Sequence, residues 1–354
     1  MKKIVSLMLA MIMAVSMLAA CSKSEPAPAA EGGEEAATET AAAELTLNVA
    51  SNATDETNPY SIGLEEFKKV AEEVSGGKIA VTVHKGTLGQ NESELVEKLQ
   101  MGAADMIVAA PAFMNAIGVP EVDFFSLEYL FDGFDHWEKC VDGDFGKVMS
   151  DIVTEKTGNQ FKIMGYWSTS IRDVYAKKAI TKPEDLKGLA IRTQNSQVQQ
   201  EFFQACGAVP TSVDWGELYQ ALQQGVVDGA ENDYTNITLK EHHKTDNGKY
   251  ISETHHDTTT RLYLMDGNKY DQLTDEQKQW IEAACEAATA AEREATYRMF
   301  EESKQKAIAD GAVVTEHADI DIDAFKAIAT GIQDKFAEAN NMKEQLEMVR
   351  NAAK

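Results

Sequence analysis

Two arginines in this chain stand where a ligand could reach them. Arg172 follows the apolar segment 161–167, and Arg192 directly follows the apolar segment 189–191. A guanidinium can hold a carboxylate through two parallel hydrogen bonds, and the ligands of α/β proteins lie beyond the carboxyl ends of strands. These positions predict a site for a carboxylate. The alternative is a surface role, in which each arginine pairs with a neighbouring Asp or Glu.

The sequence lacks the local patterns that are typical of common enzymes. It contains no nucleophile elbow, Gly-rich phosphate loop, H-E-x-x-H or paired CxxC motif. The pairs His242-His243 and His255-His256 could indicate a metal, but adjacent side chains diverge on a strand or helix and do not readily share one ion. We therefore expect no catalysis, no cofactor and no metal. A secreted hydrolase is the alternative.

Charge and cysteine content narrow the class of partner. The chain has 58 acidic and 33 basic residues and a formal net charge of −25, which disfavours nucleic acid and anionic membrane surfaces. A negatively charged solute would need a local basic patch.

Cys140, Cys206 and Cys285 are widely separated in mostly apolar or helical contexts, so we expect buried free thiols. One disulfide with one free thiol is the alternative.

The first 44 residues predict export and anchoring. Residues 1–20 combine a basic start with an apolar run that is short for a membrane span, which needs about 20 residues. The ending Leu18-Ala19-Ala20-Cys21 resembles the bacterial lipobox, which implies that Cys21 becomes a lipidated N-terminus. An uncleaved anchor helix is the alternative. The segment 21–44 continues with Ala, Glu, Pro and Gly, and this composition predicts a disordered tether.

The hydrophobic pattern from Leu45 onward predicts alternating strands and helices. The predicted elements are a strand at 45–50, a helix at 58–75, a strand at 79–83, a helix from 91 to 102 and a strand at 105–110. Such alternation is typical of parallel sheets that are covered on both faces. The 310 residues from Leu45 to the end exceed what one core usually holds, which favours two lobes.

Two longer-range features support this arrangement. The pattern L-Q-x-G-x-x-D occurs at 99–105 and again at 222–228, which favours one helix–turn–strand unit in each half, with chance as the alternative. Thr274 opens a capping box before a stripe of Ala that continues to about Ala309. A helix of that length is ~50 Å long and could cross both lobes. Two helices with a break near 292–294 are the alternative.

Four segments of the body carry a resemblance to a known family. They are PEDLKGLAIRTQNS, GAVPTSVDWGELYQALQQGVVDGAENDYTNI, EEFKKVAEEVSGGKIAVTV and LGQNESELVEKLQMGAADM. These segments resemble the substrate-binding proteins of tripartite ATP-independent periplasmic (TRAP) transporters, the dicarboxylate-binding (DctP) family, over Leu45 to about Phe300. The resemblance implies a two-lobed, periplasmic-binding-protein-like α/β fold. One lobe would contain 45–169 plus about 257–295, the other 170–256 plus about 296–354, and the hinge-spanning helix 274–309 would cross both.

The resemblance also implies a set of solute-contacting residues. In this family an arginine at the position of Arg192 pairs with the solute carboxylate, and Arg172 matches a second basic position. The amide of Asn232 could both donate to and accept from the solute, and the indole of Trp215 suits stacking. The full set is Arg192, Arg172, Asn232, Trp215, Asn195, Glu92, Asn52 and Tyr234.

The function that this resemblance implies is solute uptake. The lobes would close on a small organic acid and deliver it to integral membrane subunits, at the outer face of the cytoplasmic membrane or in the periplasm. The segments Q-N-S and G-A-E-N-D-Y look like those of members that take sugar acids such as hexuronates or aldonates. Thr193-Gln194 and Asp233-Tyr234 depart from the family's usual prolines, so a C4-dicarboxylate or another carboxylate stays open. A sensory lipoprotein with the same fold is a further alternative.

Overall fold

The backbone forms two mixed β-sheets. The computed structural model describes residues 43–89 and 91–353, so the predicted signal sequence, the lipidated Cys21 and most of the tether lie outside the described residues. The strands are β1 (Leu45–Ser51), β2 (Ile79–Lys85), β3 (Met106–Ala109), β4 (Phe161–Trp167), β5 (Ile171–Ala176), β6 (Ala190–Thr193), β7 (Val209–Ser212), β8 (Gly229–Asp233), β9 (Tyr250–Thr258), β10 (Arg261–Asp266) and β11 (Val313–Thr315). The first sheet has the strand order β2-β1-β3-β10-β4, and the second has the order β11-β9-β5-β8-β6-β7.

Helices pack against both sheets. They are α1 (Pro59–Val74), α2 (Glu92–Gln100), α3 (Phe134–Val141), α4 (Asp144–Lys156), α5 (Gln197–Ala205), α6 (Leu218–Gln224), α7 (Tyr234–Leu239), α8 (Gly267–Asp271), α9 (Asp275–Ala309), α10 (Ile322–Ala339) and α11 (Lys343–Ala352). Among the described residues, no helix combines the length and the apolar composition that a membrane crossing requires. The five elements predicted between Leu45 and Ala110 are present, with ends that differ by no more than two residues.

Strand direction differs in part from the parallel arrangement that the alternation predicts. β1 runs parallel to β2 and β3, as expected. β10, however, runs antiparallel to β3 and β4, and β5 runs antiparallel to β8 and β9. The reason is the path of the chain, which passes directly from β4 into β5 and returns directly from β9 into β10. No crossover helix keeps the strand direction constant at those two steps.

Two short segments join the sheets side by side. Residues 168–170 connect β4 to β5, and residues 259–260 connect β9 to β10. The Thr259 amide donates to the Ser170 carbonyl at 3.0 Å. These two segments, the crossing pair, are therefore hydrogen-bonded to each other where the chain leaves one sheet for the other.

The long helix α9 is continuous and begins at the capping box of Thr274, as predicted. The alternative break near 292–294 is not observed. At that point the Glu292 carboxylate accepts from the Ser168 amide at 3.3 Å, and the Thr296 hydroxyl donates to the Ser168 carbonyl at 2.8 Å. The middle of α9 is thus bonded to the crossing pair, and α1 packs along the same helix.

The two copies of L-Q-x-G-x-x-D form matching units. Both glycines of the pattern adopt positive φ values, 72° and 74°, at the ends of α2 and α6, which is the conformation that glycine favours at a helix end. The Asp105 carboxylate accepts from the Asn48 amide at 2.6 Å, and the Asp228 carboxylate accepts from the Ala190 amide at 2.9 Å. The Asp105 amide also donates to the Asn48 carbonyl, and the Asp228 amide also donates to the Ala190 carbonyl. The common architecture of the two units is confirmed at these positions.

The C-terminal helices contact the cores of both sheets. Phe325 of α10 packs with Phe202 in the core of the second sheet. Leu346 of α11 instead packs in the core beside the first sheet, together with Trp137. The sequence assigned all of 296–354 to the second lobe. The buried face of α11 lies against α3 and α4.

The three cysteines of the body are buried free thiols, as predicted. Burial raises the pKa of the Cys140 thiol to about 11 and that of the Cys206 thiol to about 12, and it also raises the pKa of Cys285. These thiols therefore stay protonated at neutral pH and contribute as apolar packing residues.

Candidate ligand-binding site

A cavity of about 200 Å³ lies between the ends of the two sheets, beside the crossing pair. The first-sheet side contributes residues that follow β1 and begin α2, among them Asn52 and Glu92. The second-sheet side contributes Arg192, Trp215 and Asn232, which come from or follow β6, β7 and β8. Because β6 runs parallel to β7 and β8, their carboxyl ends meet at one edge. This edge collects side chains that are far apart in the sequence.

Arg192 directs an unpaired guanidinium into the cavity. The residue is 6 % exposed, its Nε donates to the Val213 carbonyl at 3.0 Å, and its Cζ lies 5.9 Å from the centroid of the Trp215 ring. Within residues 43–89 and 91–353, no acidic side chain forms an ion pair with it. Burial lowers the pKa of this guanidinium, as expected for a cation removed from water without a partner. A ligand carboxylate would supply the partner.

Arg172 lies beneath the cavity and not on its surface. It is 1 % exposed and pairs with the equally buried Glu231, to whose carboxylate both Nε and Nη2 donate. Burial alone would raise the pKa of the Glu231 carboxyl, but the Arg172 charge lowers it to about 2. The remaining nitrogen, Nη1, donates to Asn232 Oδ1 at 2.9 Å. Because these donors are committed to protein acceptors, Arg172 holds Asn232 in place from beneath the cavity wall.

The side-chain amide of Asn232 can still donate hydrogen bonds, but its oxygen is already occupied. Its Oδ1 accepts from Arg172 and also from the Asp233 amide at 2.9 Å. The sequence predicted that this amide could donate to and accept from a solute. With the oxygen occupied, the Nδ2 group is the part that can face a ligand. Arg192 and Asn232 together form a donor set that suits an anion.

The other predicted residues are not all at the cavity. Asn52, Asn195 and Trp215 line it, and the Trp215 ring packs edge-to-face against His242, with centroids 5.2 Å apart. Tyr234 is fully buried elsewhere, and its hydroxyl donates to a Glu253 carboxylate oxygen at 3.0 Å. The structure therefore places Tyr234 away from the cavity, contrary to the prediction.

The cavity wall contains several polar residues that the sequence patterns did not single out, two of which lie beside Glu92. Tyr60 and Arg261 both line the cavity on the first-sheet side, close to Glu92. The Arg261 Nε lies 3.6 Å from Glu92 Oε1. The available signals were a basic residue at the start of an apolar strand and a tyrosine in the first turn of a capped helix. Neither pattern is specific without the tertiary structure.

The paired histidines have separate surroundings. His242 Nδ1 hydrogen-bonds to the Tyr175 hydroxyl at 2.9 Å, and burial lowers the pKa of its imidazole to about 3. The adjacent His243 instead places its Nε2 3.1 Å from Asp310 Oδ2. In the second pair, the His255 ring stacks on the His317 ring, whereas His256 Nε2 lies 3.6 Å from a Glu231 carboxylate oxygen. In the part of the chain that the structure describes, no three His, Cys, Asp or Glu side chains are arranged to hold a metal ion.

Comparison with known proteins identifies the family. Residues 50–340 match the model of DctP, the bacterial extracellular solute-binding protein family 7. The chain belongs to this family. The resemblance to TRAP substrate-binding proteins is thereby confirmed, and so is the predicted α/β fold with its long helix, which family 7 structures share.

Two sequence relatives and one solved structure resemble this family 7 protein over most of its length. It is 30 % identical over 282 residues to the uncharacterized protein YiiZ of Salmonella typhimurium, across 79 % of this chain and 84 % of the relative. It is 27 % identical over 287 residues to the C4-dicarboxylate-binding periplasmic protein DctP of Rhodobacter capsulatus, across 79 % and 83 %. A TRAP periplasmic solute binding protein from Sulfitobacter sp. NAS-14.1, crystallised with bound β-D-galacturonate, is 28 % identical with a TM-score of 0.79, across 86 % of this chain and 99 % of that one.

Proposed function

We propose that this protein binds a sugar acid, such as a hexuronate, in the cavity between the sheets and delivers it to TRAP membrane subunits. The observation that carries the proposal is the buried guanidinium of Arg192, which faces the cavity and has no acidic partner among the described residues. A buried charge costs free energy unless it is paired, so an anionic ligand removes that cost when it binds. The galacturonate held by a relative at 28 % identity supports the sugar-acid class.

The carboxylate would bind to donors on the second-sheet side. Arg192 would give two hydrogen bonds from its terminal nitrogens, and Asn232 would give a third from Nδ2. Arg172 would keep the Asn232 amide in that orientation through its bond to Oδ1. The Trp215 ring, which lies beside the Arg192 guanidinium, would pack on the sugar ring. No step of this mechanism makes or breaks a covalent bond of the solute.

Closure of two lobes would complete the site. One lobe would comprise 45–169 plus about 257–295, and the other 170–256 plus about 296–340, with α11 docked on the first. The crossing pair and the middle of α9 would bend as the lobes approach. A solute that contacts both sides of the cavity binds the closed state more tightly than the open one, and this difference in affinity shifts the population toward closure.

The proposal includes a lipid anchor outside the cytoplasm. Its support is the lipobox-like sequence Leu18-Ala19-Ala20-Cys21, together with the extracellular character of the family. Replacement Cys21→Ser is expected to abolish incorporation of labelled fatty acid and to release the protein from the membrane fraction. Undiminished labelling of the Cys21→Ser protein would contradict the anchor.

Isothermal titration calorimetry with hexuronates, aldonates and C4-dicarboxylates tests the proposed function. The purified protein is expected to bind a hexuronate. Replacement Arg192→Ala should weaken that binding by roughly thirty-fold to several thousand-fold, because a buried charge on the ligand loses its partner. Arg192→Lys should recover only part of the affinity, since a point charge cannot replace the two-point grip.

Arg298→Ala is the matched control, because Arg298 is an exposed arginine on α9 that does not line the cavity. Its affinity should equal that of the wild type. Retention of full affinity by Arg192→Ala, or failure of the wild type to bind any acid of the panel, would contradict the proposal. Turnover of a bound sugar acid would favour a secreted hydrolase instead.

A further inference from the structure

A second polar cluster occupies the first-sheet side of the cavity. It consists of Tyr60 in the first turn of α1, Glu92 at the start of α2 and Arg261 at the start of β10. Tyr60 is 4 % exposed, and Glu92 and Arg261 are each 6 % exposed. Three buried polar side chains therefore converge on the cavity from the side that faces Arg192 and Asn232.

Several hydrogen-bonding groups of this cluster lack a protein partner. Within the described residues, neither the Tyr60 hydroxyl nor Arg261 Nε has a hydrogen-bond partner. Glu92 Oε2 accepts from the Ala110 amide at 2.6 Å, whereas Oε1 faces Arg261 Nε across 3.6 Å, which is too long for a hydrogen bond. Buried polar groups are ordinarily satisfied, and those without a partner mark a place for a ligand. The cluster thus offers two donors and one acceptor.

This combination matches the chemistry of an alcohol. A hydroxyl group donates one hydrogen bond and accepts two, so it can donate to Glu92 Oε1 while it accepts from Tyr60 or Arg261. A carboxylate can only accept and would stand next to the negative charge of Glu92. The two negative charges would repel each other, and this repulsion would weaken the binding of a dicarboxylate. The cluster therefore favours hydroxyl groups over a second carboxylate.

The net charge of the cavity wall also favours a ligand with a single carboxylate. The wall contains three charged residues that are buried, namely Arg192, Arg261 and Glu92. Two positive charges minus one negative charge leave one positive charge. Beneath the wall, Arg172 and Glu231 cancel each other. Burial raises the pKa of the neighbouring Asp233 carboxyl and raises that of Asp257 to about 7, which favours their neutral forms. One uncompensated positive charge calls for a ligand with one negative charge.

Charged residues at the cavity mouth do not alter this count. Asp55 and Lys240 both line the cavity and attract each other, and Asp214 is exposed to solvent. Water and salt screen such partly exposed charges much more than buried ones. The buried groups therefore decide which ligand charge the cavity accepts.

We propose that Tyr60, Glu92 and Arg261 form a hydroxyl-binding subsite, so that the protein selects acids with one carboxylate and a hydroxylated opposite end and rejects dicarboxylates of the same length. This inference rests on the proposed function, in which Arg192 holds the single carboxylate. It assigns to Tyr60 and Arg261 a role in specificity.

Calorimetry with galacturonate and galactarate tests the subsite. Galactarate carries a second carboxylate in place of the carbon through which galacturonate closes its ring. Galactonate is therefore titrated as well, because this open-chain acid differs from galactarate only in a hydroxyl at that end and so isolates the effect of the charge. The wild type should prefer galacturonate by about tenfold or more. Glu92→Gln removes the repulsion and leaves Arg261 as a free cation, so the ratio of the two affinities should shift toward galactarate by about tenfold or more.

Three further variants keep the test independent of any folding defect. Tyr60→Phe removes one hydroxyl and should weaken galacturonate binding by roughly tenfold, because an acceptor on the ligand loses its donor. Glu97→Gln, at an exposed position on the same helix as Glu92, and Tyr250→Phe, on β9, are the matched controls and should behave as the wild type. Thermal unfolding of every variant reports whether it is folded.

The outcomes separate this inference from the proposed function. If the wild type binds galactarate as tightly as galacturonate, or if Glu92→Gln leaves their ratio unchanged, the subsite is overturned while Arg192-dependent binding stands. If the wild type binds neither acid, or if binding survives in Arg192→Ala, the proposed function fails and the subsite fails with it.

Discussion

At the residue scale, two arginines of similar local context have different surroundings. Arg172 has a buried carboxylate within bonding distance, which raises the pKa of its guanidinium despite burial. In the part of the chain that the structure describes, Arg192 has no such carboxylate, and burial lowers the pKa of its guanidinium. A buried charge that has a partner belongs to the framework of the protein, whereas an unpaired buried cation that faces a cavity favours the binding of an anionic ligand. The pair that Arg172 forms with Glu231 also orients Asn232, so the two arginines act on the same site in different ways.

The orientation of the Asn232 amide leads to a prediction. Asn232→Asp keeps an oxygen that accepts from Arg172 but replaces the Nδ2 donor with a negatively charged oxygen. Galacturonate binding should fall by at least about 100-fold, because two carboxylates would then face each other. Calorimetry measures the loss, and Asn268→Asp, which adds the same charge at an exposed position of α8, should have no effect. Unchanged affinity of Asn232→Asp would show that this amide does not face the solute.

The buried ion pair beneath the cavity leads to a second prediction. Arg172→Met leaves the Glu231 carboxylate buried without its cation and should lower the free energy of unfolding by ~3–5 kcal/mol. The double variant Arg172→Met/Glu231→Gln removes both charges and should regain much of that loss. Urea denaturation followed by circular dichroism compares the two. A double variant as unstable as the single one would show that the loss comes from packing and not from the uncompensated charge.

At the element scale, α9 connects the crossing pair with the helices around it. Its middle residue Glu292 is fully buried and bonded to Ser168, and Thr296 is bonded to the same residue. Burial raises the pKa of the Glu292 carboxyl to about 8. The folded protein therefore holds a proton there at neutral pH, while the unfolded chain, whose glutamates titrate near 4.3, does not.

The raised pKa of Glu292 gives a pH dependence of defined sign. Between pH ~4.5 and pH 8 the folded state binds one proton more than the unfolded state, so stability from this group falls as pH rises, and outside that range its contribution is constant. Glu292→Gln removes this effect. The stability of the variant relative to the wild type should therefore increase with pH across that window, on the order of 1.4 kcal/mol per pH unit. Parallel pH profiles from urea denaturation would contradict the assignment.

At the scale of the whole molecule, the cavity takes residues from both sheets and lies beside the segments that join them. The crossing pair and α9 connect the first sheet to the second, and α10 and α11 pack on the cores of both. The described residues form one compact unit. A ligand that contacts both sides therefore adds bonds between the sheets, which should stabilise a more closed arrangement.

Closure can be measured in solution. Galacturonate at 100 times its Kd should raise the free energy of unfolding by ~2.7 kcal/mol by mass action. It should also reduce the radius of gyration measured by small-angle X-ray scattering. Arg192→Ala at the same ligand concentration should show neither change. Calorimetric binding with an unchanged radius of gyration would rule out closure as the consequence of binding.

Local chemistry was sufficient to predict the elements, and the resemblance of four segments to a known family predicted the family. The strands and helices up to Ala110, the capping box at Thr274 and the buried thiols follow from hydrophobic periodicity and from side chains that bond to nearby backbone. The Asp residues of the repeat pattern directly precede their strands, one residue before the observed strand start. These features depend on interactions over a few residues, which the sequence displays directly.

The tertiary structure decided which residues line the cavity and which charged partners they have. Arg172 and Arg192 both follow or end short apolar segments, and nothing local distinguishes them. What separates them is Glu231, which lies 59 residues from Arg172 and reaches it because β8 pairs with β5. Arg261 likewise joins Glu92 only because β10 returns to the first sheet. Electrostatic partners are set by distance in space, and only the pairing of distant strands fixes that distance.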